Sequence, residues 1–335
     1  MSVLKLILVW TAKQNRVIAY KIIVLPNYTY YDNEWNFRDF IMPFKSFIRY
    51  LLIVLCLLSN VYASTYVLPA RGDLIGELQY TVPDAGETIS DVGIRYDVGY
   101  YEMVRANPHV DPTRPLLPRT QLIIPSQYIL PPGPRQGLVI NLAEYRLYFY
   151  PPGDNTVITM PVGIGREGWN TPVGLTKVIA KERDPIWRPT ENVRAEAAKN
   201  GTPIPNEFPP GIGNPLGRHI LRLGWPTYLI HGTNRRDGVG SRVSAGCIRM
   251  MPEDIEHLYD YVTVSTTVRV INEPIKVGKA NDGLYVEAHP QLIDQSKGSF
   301  TSLMNVALAN TKNRNNRLIN EEIQSPSGIP RKIAG

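Results

Sequence analysis

The chain has 335 residues, 43% of them apolar and 20% charged, with 29 Pro, 26 Gly and only 2 Cys. That length allows two or three domains, and the composition excludes a disulfide scaffold and an intrinsically disordered chain. Residues 1–63 hold seven Lys/Arg against three Asp/Glu, so most of the net +6 belongs to them and the remainder is close to neutral; no nucleic-acid partner is expected.

Met42-Pro-Phe-Lys45 to Arg49-Tyr50, then Leu51 to Leu58, then Ser59 to Ala63, reads as a basic segment, a short apolar core and a small-residue exit. This is the pattern of a secretory signal over 42–63, cleaved after Ala63; the apolar core is shorter than the roughly 20 residues a membrane span needs. Residues 1–41, without periodicity, read as an over-extended start, so that 1–63 is a leader. Cys56 follows bulky Val54-Leu55 and is not expected to carry lipid. Export with cleavage after Ala63 leaves Cys247 as an isolated thiol in an oxidising compartment, which calls for an explanation.

Between 78 and 130 the expected order is strand, helix, helix, strand. Gln79 to Val82 is β-rich, Thr88 offers an N-cap with Asp91 three residues on, Asn107-Pro108 ends a helix begun near Gly99, and Thr120 to Pro125 closes the unit. With Tyr80-Thr-Val before the Gly86-Glu-Thr turn and the closing Leu122-Ile-Ile-Pro125, this small βααβ unit resembles a LysM domain, which implies binding to peptidoglycan glycan strands.

Pro131-Pro-Gly-Pro134 reads as a linker. The next domain, 136–272, is mainly β. Gly137 to Leu142 and Tyr145 to Tyr150 form a hairpin, Asp154-Asn155 a turn, and Thr156 to Val162 and Val173 to Ala180 further strands. A Pro/Gly-rich excursion from Asp184 to Gly217, with one helix over 192–198, has the length of a functional wall or lid. Strands resume at His219 to Leu223 and Tyr228 to Ile230, Pro252 opens a helix to Tyr261, and Thr266 to Ile271 closes the sheet. In the C-terminal extension, 273–335, a hairpin strand is expected at Gly283 to Ala288, followed by a mobile tail with one helix near 303–309.

His231 follows directly on an apolar strand, and Cys247 sits in a Ser244-Ala245-Gly246-Cys247 turn sixteen positions later, joined to it by a Gly-rich connection that permits fold-back. A thiol is a weak nucleophile while protonated, and a neighbouring imidazole can take its proton. Small residues before the cysteine let the amides of Ala245, Gly246 and Cys247 approach a carbonyl oxygen, as an oxyanion hole requires. The bland alternative is a small buried Cys247 and a strand-end His231, but Gly, Ser and Arg neighbours are not those of a hydrophobic core. Arg235, Arg236, Asp237 and Arg242 read as a solvated charge cluster or an attraction for carboxylates. Trp169 and Trp187 line a groove or pack in the core. His109, His219, His257 and His289 lack metal-ligand spacing, and neither a metal nor a cofactor is expected.

Several motifs in order, Val162-Gly163-Ile164-Gly165, Asn170-Thr171-Pro172-Val173-Gly174, Asn214-Pro215-Leu216-Gly217, His231-Gly232 and Ser244-Ala245-Gly246-Cys247-Ile248-Arg249, make the region from Gly137 to Ile271 resemble the YkuD-type L,D-transpeptidase family. The resemblance implies a β-sandwich or barrel catalytic domain. It also implies a Cys247 thiolate that attacks the third residue of a peptidoglycan stem peptide, releases D-alanine and hands the acyl group to an amine. That amine belongs either to a second stem peptide or to a lysine of an outer-membrane lipoprotein. His231 is then the base, oriented by the Gly232 carbonyl. Arg249 either grips a substrate carboxylate or serves a structural ion pair. The family's usual Ser-His-Gly-Cys has Ala245 at the histidine place here, so no second imidazole can be carried over. A non-catalytic peptidoglycan-binding protein and an L,D-carboxypeptidase are the alternatives.

Overall fold

The computed structural model forms two units, residues 1–59 and 60–335. It describes residues 64–296 and 298–335, and in the first unit only an antiparallel ladder of Ile7–Leu8 with Ile22–Ile23. The expected signal segment and Cys56 lie outside the described residues. Among those described, no helix is long and apolar enough to cross a membrane.

The body is mainly β, as expected. The strands are β1 (Ser64–Val67), β2 (Leu74–Gly76), β3 (Gln79–Thr81), β4 (Leu122–Ile124), β5 (Gln127–Ile129), β6 (Gly137–Asn141), β7 (Arg146–Tyr150), β8 (Thr156–Pro161), β9 (Ile164–Gly165), β10 (Gly174–Arg183), β11 (His219–Leu223), β12 (Leu229–His231), β13 (Arg242–Ser244), β14 (Ile248–Arg249) and β15 (Thr267–Ile271). Nine of them make one curled sheet in the order β14-β12-β11-β10-β15-β6-β7-β8-β1. The curl comes from β10, which gives its first half to β15 and its second half to β11, with a bulge between Val178 and Ala180. Strand β15, expected to close the sheet, is instead central, pairing parallel to β6 and antiparallel to β10. Its apolar run allows this, since a strand with neighbours on both edges needs only backbone complementarity.

Alternation along the central strands supplies two cores. Leu138, Ile140, Leu147, Phe149, Ile158 and Met160 face the main core with Val178, Leu221, Ile230 and Ile248. Val139, Tyr148, Tyr150 and Val157, the intervening positions, pack against Ile75, Tyr128 and Leu130. Strand β7 is therefore buried on both faces, which is why it reads as a continuous apolar and aromatic run. The β6–β7 turn leaves Tyr145 at φ 62°, outside the strand to which the sequence pattern assigns it.

The small unit has the expected βααβ order. Helices α1 (Ile89–Arg95) and α2 (Tyr100–Ala106) lie between β3 and β4, which pair antiparallel, over a core of Ile89, Val92, Met103, Leu122 and Ile124. Thr88 and Asp91 form a reciprocal capping box at the start of α1. The unit is joined to the sheet by a charge rather than by a linker alone. Arg146 of β7, fully buried, makes hydrogen bonds of 2.7 and 2.9 Å to the two carboxylate oxygens of Glu102 on α2. The guanidinium also lies 4.4 Å from the Tyr128 ring centroid. Nearby, Asp97 is pushed up to about 7, mainly by burial, and Asp254 also rises well above the carboxylate range through burial.

Helix α3 (Glu191–Lys199) is the helix of the long excursion and buries no residue. Helix α4 (Pro252–Tyr261) has Pro at its start and acids in its first turn, and lays Ile255 and Leu258 on the main core. The C-terminal region carries more structure than its polar sequence suggests. Strands β16 (Ile275–Ala280) and β17 (Gly283–Ala288) form the hairpin, while α5 (Phe300–Ala307), α6 (Asn316–Gln324) and β18 (Arg331–Ala334) replace the expected mobile tail. Strand β18 pairs with β17, and Met304, Leu308, Ile319 and Ile333 close a core over the hairpin. Ser299 and Asn315 cap α5 and α6, and the polar positions that suggested mobility are mostly the solvent faces.

Removing one member of a buried ion pair strands the other. Glu102→Ala is expected to destabilise the protein by about 3–5 kcal/mol, and Glu102→Leu combined with Arg146→Met to recover most of that loss, both read from urea unfolding midpoints.

Candidate active site

The apolar run before His231 forms β12, and Ile248–Arg249 forms β14 beside it in parallel, with Ile230 opposite Ile248 and His231 opposite Arg249. Cys247 immediately precedes β14, so it lies at the start of the strand beside the one that carries His231. The connection between them folds back through β13, which pairs in parallel with β9. Met250 N–H donates to His231 O at 2.8 Å and locks the register.

His231 is buried, and its Nδ1 lies 2.6 Å from Gly232 O. A carbonyl only accepts, so Nδ1 carries the proton and Nε2 keeps its lone pair. Burial, reinforced by the Arg249 cation, lowers the imidazole to about 3. Cys247 is half-buried, and burial pushes its thiol up, opposed by the Leu229 amide and by Arg249. The sulfur is 3.6 Å from Thr227 O, toward which it donates, rather than hydrogen-bonded to the imidazole. The Arg249 charge acts on both groups. Arg249 is itself mostly buried, its Nε has no hydrogen-bond partner, and no carboxylate forms an ion pair with it among the described residues.

The turn that presents the cysteine is built by the small residues. Gly246 has φ 100°, and a Cβ there would meet the Tyr228 ring at 2.8 Å, so only glycine fits. Ser244 Oγ donates to Cys247 O at 2.5 Å and accepts Gly246 N–H at 3.1 Å. That bond takes one of the three amides expected to face a substrate oxygen; those of Ala245 and Cys247 have no hydrogen-bond partner among the described residues. Thr171 Oγ1 donates to Gly246 O at 2.8 Å and accepts Gly165 N–H at 3.1 Å, so the Asn170-Thr171-Pro172 and Gly163-Ile164-Gly165 segments brace the turn from below. Asn214, buried, donates to Pro185 O at 2.7 Å and accepts Leu216 N–H at 2.9 Å, closing the long excursion at its base.

The remaining residues sort differently from the sequence expectation. Arg235 pairs with Asp237 and Arg236 with Glu253 at the surface. Arg242 does not belong to that solvated cluster: its guanidinium is clamped by both oxygens of Asp294, each at 2.8 Å, and by Asn170 Oδ1 and Gly165 O, each at 3.1 Å. Asp294 lies in the C-terminal extension, more than fifty residues on, and no local pattern marks it as a partner. Trp169 is stacked by Arg166 at 4.9 Å beside the cysteine turn, and Trp187 packs on Phe208 at 4.9 Å within the excursion, which Glu196 ties to Arg166.

Away from the cysteine, Glu144, Glu287 and His289 bring ligand atoms within 4.8 Å of one another, a grouping that histidine spacing alone did not suggest. Lys276 Nζ sits among them, 2.7 Å from Glu144 and 2.9 Å from Glu287, and His289 is driven to about 3, chiefly by burial. The cluster has its cation and reads as a buried ion-pair network holding the C-terminal hairpin to the sheet.

The curled sheet carries a histidine on one strand and a cysteine in the turn that leads into the parallel strand beside it, and the YkuD L,D-transpeptidase catalytic domain matches residues 135–270. The chain is 43% identical over 242 residues to the probable L,D-transpeptidase YcfS of Escherichia coli K12, covering 70% of this chain and 75% of that protein. It is 38% identical over 308 residues to the probable L,D-transpeptidase YbiS of the same strain, covering 87% and 99%. With the probable L,D-transpeptidase ErfK/SrfK of Salmonella typhimurium the identity is 38% over 286 residues, covering 81% and 92%. The chain belongs to the L,D-transpeptidase family.

The half-buried Cys247 thiol is expected to react with iodoacetamide with a midpoint above the ordinary cysteine value of about 8.5. Arg249→Met, which removes a favourable cation, should move that midpoint further up; a midpoint that falls on this substitution would contradict the arrangement.

Proposed function

We propose that the chain is a periplasmic L,D-transpeptidase of peptidoglycan that acts through Cys247 as nucleophile and His231 as base. The observation that carries this reading is the fixed tautomer of His231. With Nδ1–H given to Gly232 O, the free Nε2 belongs to a residue on the strand beside the one that Cys247 precedes.

The donor is a stem peptide whose third residue is bonded to a terminal D-alanine. As the sulfur turns from Thr227 O toward the imidazole, Nε2 takes the thiol proton and the thiolate adds to the donor carbonyl carbon. The carbonyl oxygen becomes an oxyanion, and the amides of Ala245 and Cys247 are assigned to receive it, since Gly246 N–H is given to Ser244 Oγ. Collapse breaks the C–N bond, the imidazolium returns its proton to the departing amine, and D-alanine leaves. An acceptor amine then attacks the thioester, losing a proton to Nε2 and returning the sulfur to its thiol. The acceptor is a second stem peptide or a lysine of an outer-membrane lipoprotein. Arg249, without a protein carboxylate, is suited to a substrate carboxylate. The βααβ unit over 78–130 is assigned to glycan strands as a LysM-like module.

The low-lying imidazole gives this reading a pH signature. A base lowered to about 3 stays unprotonated as pH falls through 6.5, so the acid limb of kcat/KM should lie well below pH 6.5 rather than at the ordinary imidazole value. Cys247→Ala should abolish D-alanine release from a tetrapeptide donor, and His231→Ala should lower it about 100-fold or more. Muropeptide analysis of cells carrying wild-type or Cys247→Ala copies tests the same claim in place: unchanged cross-links together with unchanged lipoprotein attachment would exclude both transfer roles.

A further inference from the structure

The connection from His231 to Cys247 is touched from two sides by parts of the chain that lie outside the 136–272 catalytic region. On one side, the first amides of α2 donate into it: Tyr100 N–H to Val239 O at 3.4 Å and Tyr101 N–H to Gly240 O at 3.2 Å. Here two glycines meet backbone to backbone. A Cβ on Gly99 would lie 2.8 Å from Gly240 Cα, and one on Gly240, at φ 79°, would lie 2.3 Å from Tyr100 N. This contact is anchored to the sheet, because Glu102 accepts Gly99 N–H at 2.8 Å with the carboxylate that also holds the buried Arg146. On the other side, Asp294 of the C-terminal extension grips Arg242 in the same connection, one strand before the cysteine turn. Arg242 passes that grip to Gly165 O, and Gly165 N–H is in turn held by the Thr171 hydroxyl that donates to Gly246 O.

We propose that Gly99 and Asp294 are positioning residues for the acyl transfer, clamping the connection between His231 and Cys247 from the small N-terminal unit and from the C-terminal extension. This rests on the proposed Cys247 reaction. Neither residue touches the reacting atoms; each holds backbone whose displacement moves the cysteine turn relative to the imidazole. The consequence is that the flanking parts of the chain are components of the catalytic centre as well as of substrate binding.

Gly99→Ala is a suitable wedge, because Gly99 has an ordinary negative φ and the added methyl meets both the Gly240 backbone and the Glu102 carboxylate that anchors this contact, each at 2.8 Å. Asp294→Asn weakens the second clamp with almost no change of volume. Both are made in the full chain and assayed at a temperature where circular dichroism shows them folded. D-alanine release gives kcat and KM, and iodoacetamide alkylation between pH 7.5 and 10.5 gives the thiol midpoint. Loss of a clamp should lower kcat about 10-fold with KM within about two-fold, since misplacement penalises the transition state. The alkylation midpoint should move down toward the ordinary cysteine value as the turn loosens and the sulfur is resolvated. Asp294→Glu, which keeps the charge, should regain part of the lost kcat. Unchanged kcat and unchanged midpoint in both variants would overturn the proposal. If Gly99→Ala fails to fold, Asp294→Asn decides alone by the same criteria. A shifted midpoint in variants of a wild-type protein that releases no D-alanine would uphold the clamps and sink the transfer reaction.

Discussion

The parallel pairing of Leu229–His231 with Ile248–Arg249 is the constraint on which the site depends. Side-by-side parallel strands need a crossover between them, and here that crossover is the Gly-rich connection itself, returning through β13 and the cysteine turn. One backbone ladder thus fixes the strand that follows Cys247 against the strand that carries His231. The same ladder sets Arg249 opposite His231, where its charge adds to burial in keeping the imidazole neutral and favours the thiolate. The two effects work together. A neutral imidazole can accept a proton, and a nearby cation lowers the cost of the thiolate that results.

Burial decides the resting state. An isolated Cys–His pair in water could exchange its proton with little bias, but both groups here lose hydration, so the neutral thiol and neutral imidazole are favoured. Charge separation is then deferred until a donor carbonyl is present to draw the thiolate forward. A thiol kept protonated and turned toward Thr227 O is also less open to oxidation. The buried charges elsewhere do a different task. Glu102 with Arg146, and Glu144 and Glu287 with Lys276, join the small unit and the C-terminal hairpin to the sheet, where an unpaired charge would be costly and a misdocked unit would leave several.

Much of this was legible in the sequence because its signals are local. The Thr88–Asp91 cap, Pro252 at the start of α4, the hairpin turn before Arg146, and the Ser-Ala-Gly-Cys turn each announce themselves within a few residues. The pairing partners were not legible. Strand β15 gives no sign that it lies at the centre of the sheet, since an apolar strand reads alike at either place. Asp294 appears as one acid in a polar stretch, and its grip on Arg242 exists only once the chain has folded. The tail from Ser299 suggests mobility because most of its residues are polar, yet Met304, Leu308, Ile319 and Ile333 suffice to seal a small core when the hairpin supplies the other wall. At the site, residue types were clear while the commitment of Gly246 N–H to Ser244 and the turning of the sulfur toward Thr227 were set by torsions that composition does not encode.

The central claim is that a stem-peptide acyl group becomes bonded to the Cys247 sulfur. Intact-mass spectrometry of the full chain, acid-quenched during turnover of a tetrapeptide donor and followed by peptide mapping, tests this directly. The account predicts a mass increase equal to the donor mass minus the mass of one D-alanine, located on the peptide containing Cys247 and absent from Cys247→Ser. An adduct on any other residue, or D-alanine release that continues in that variant without an adduct, would contradict it.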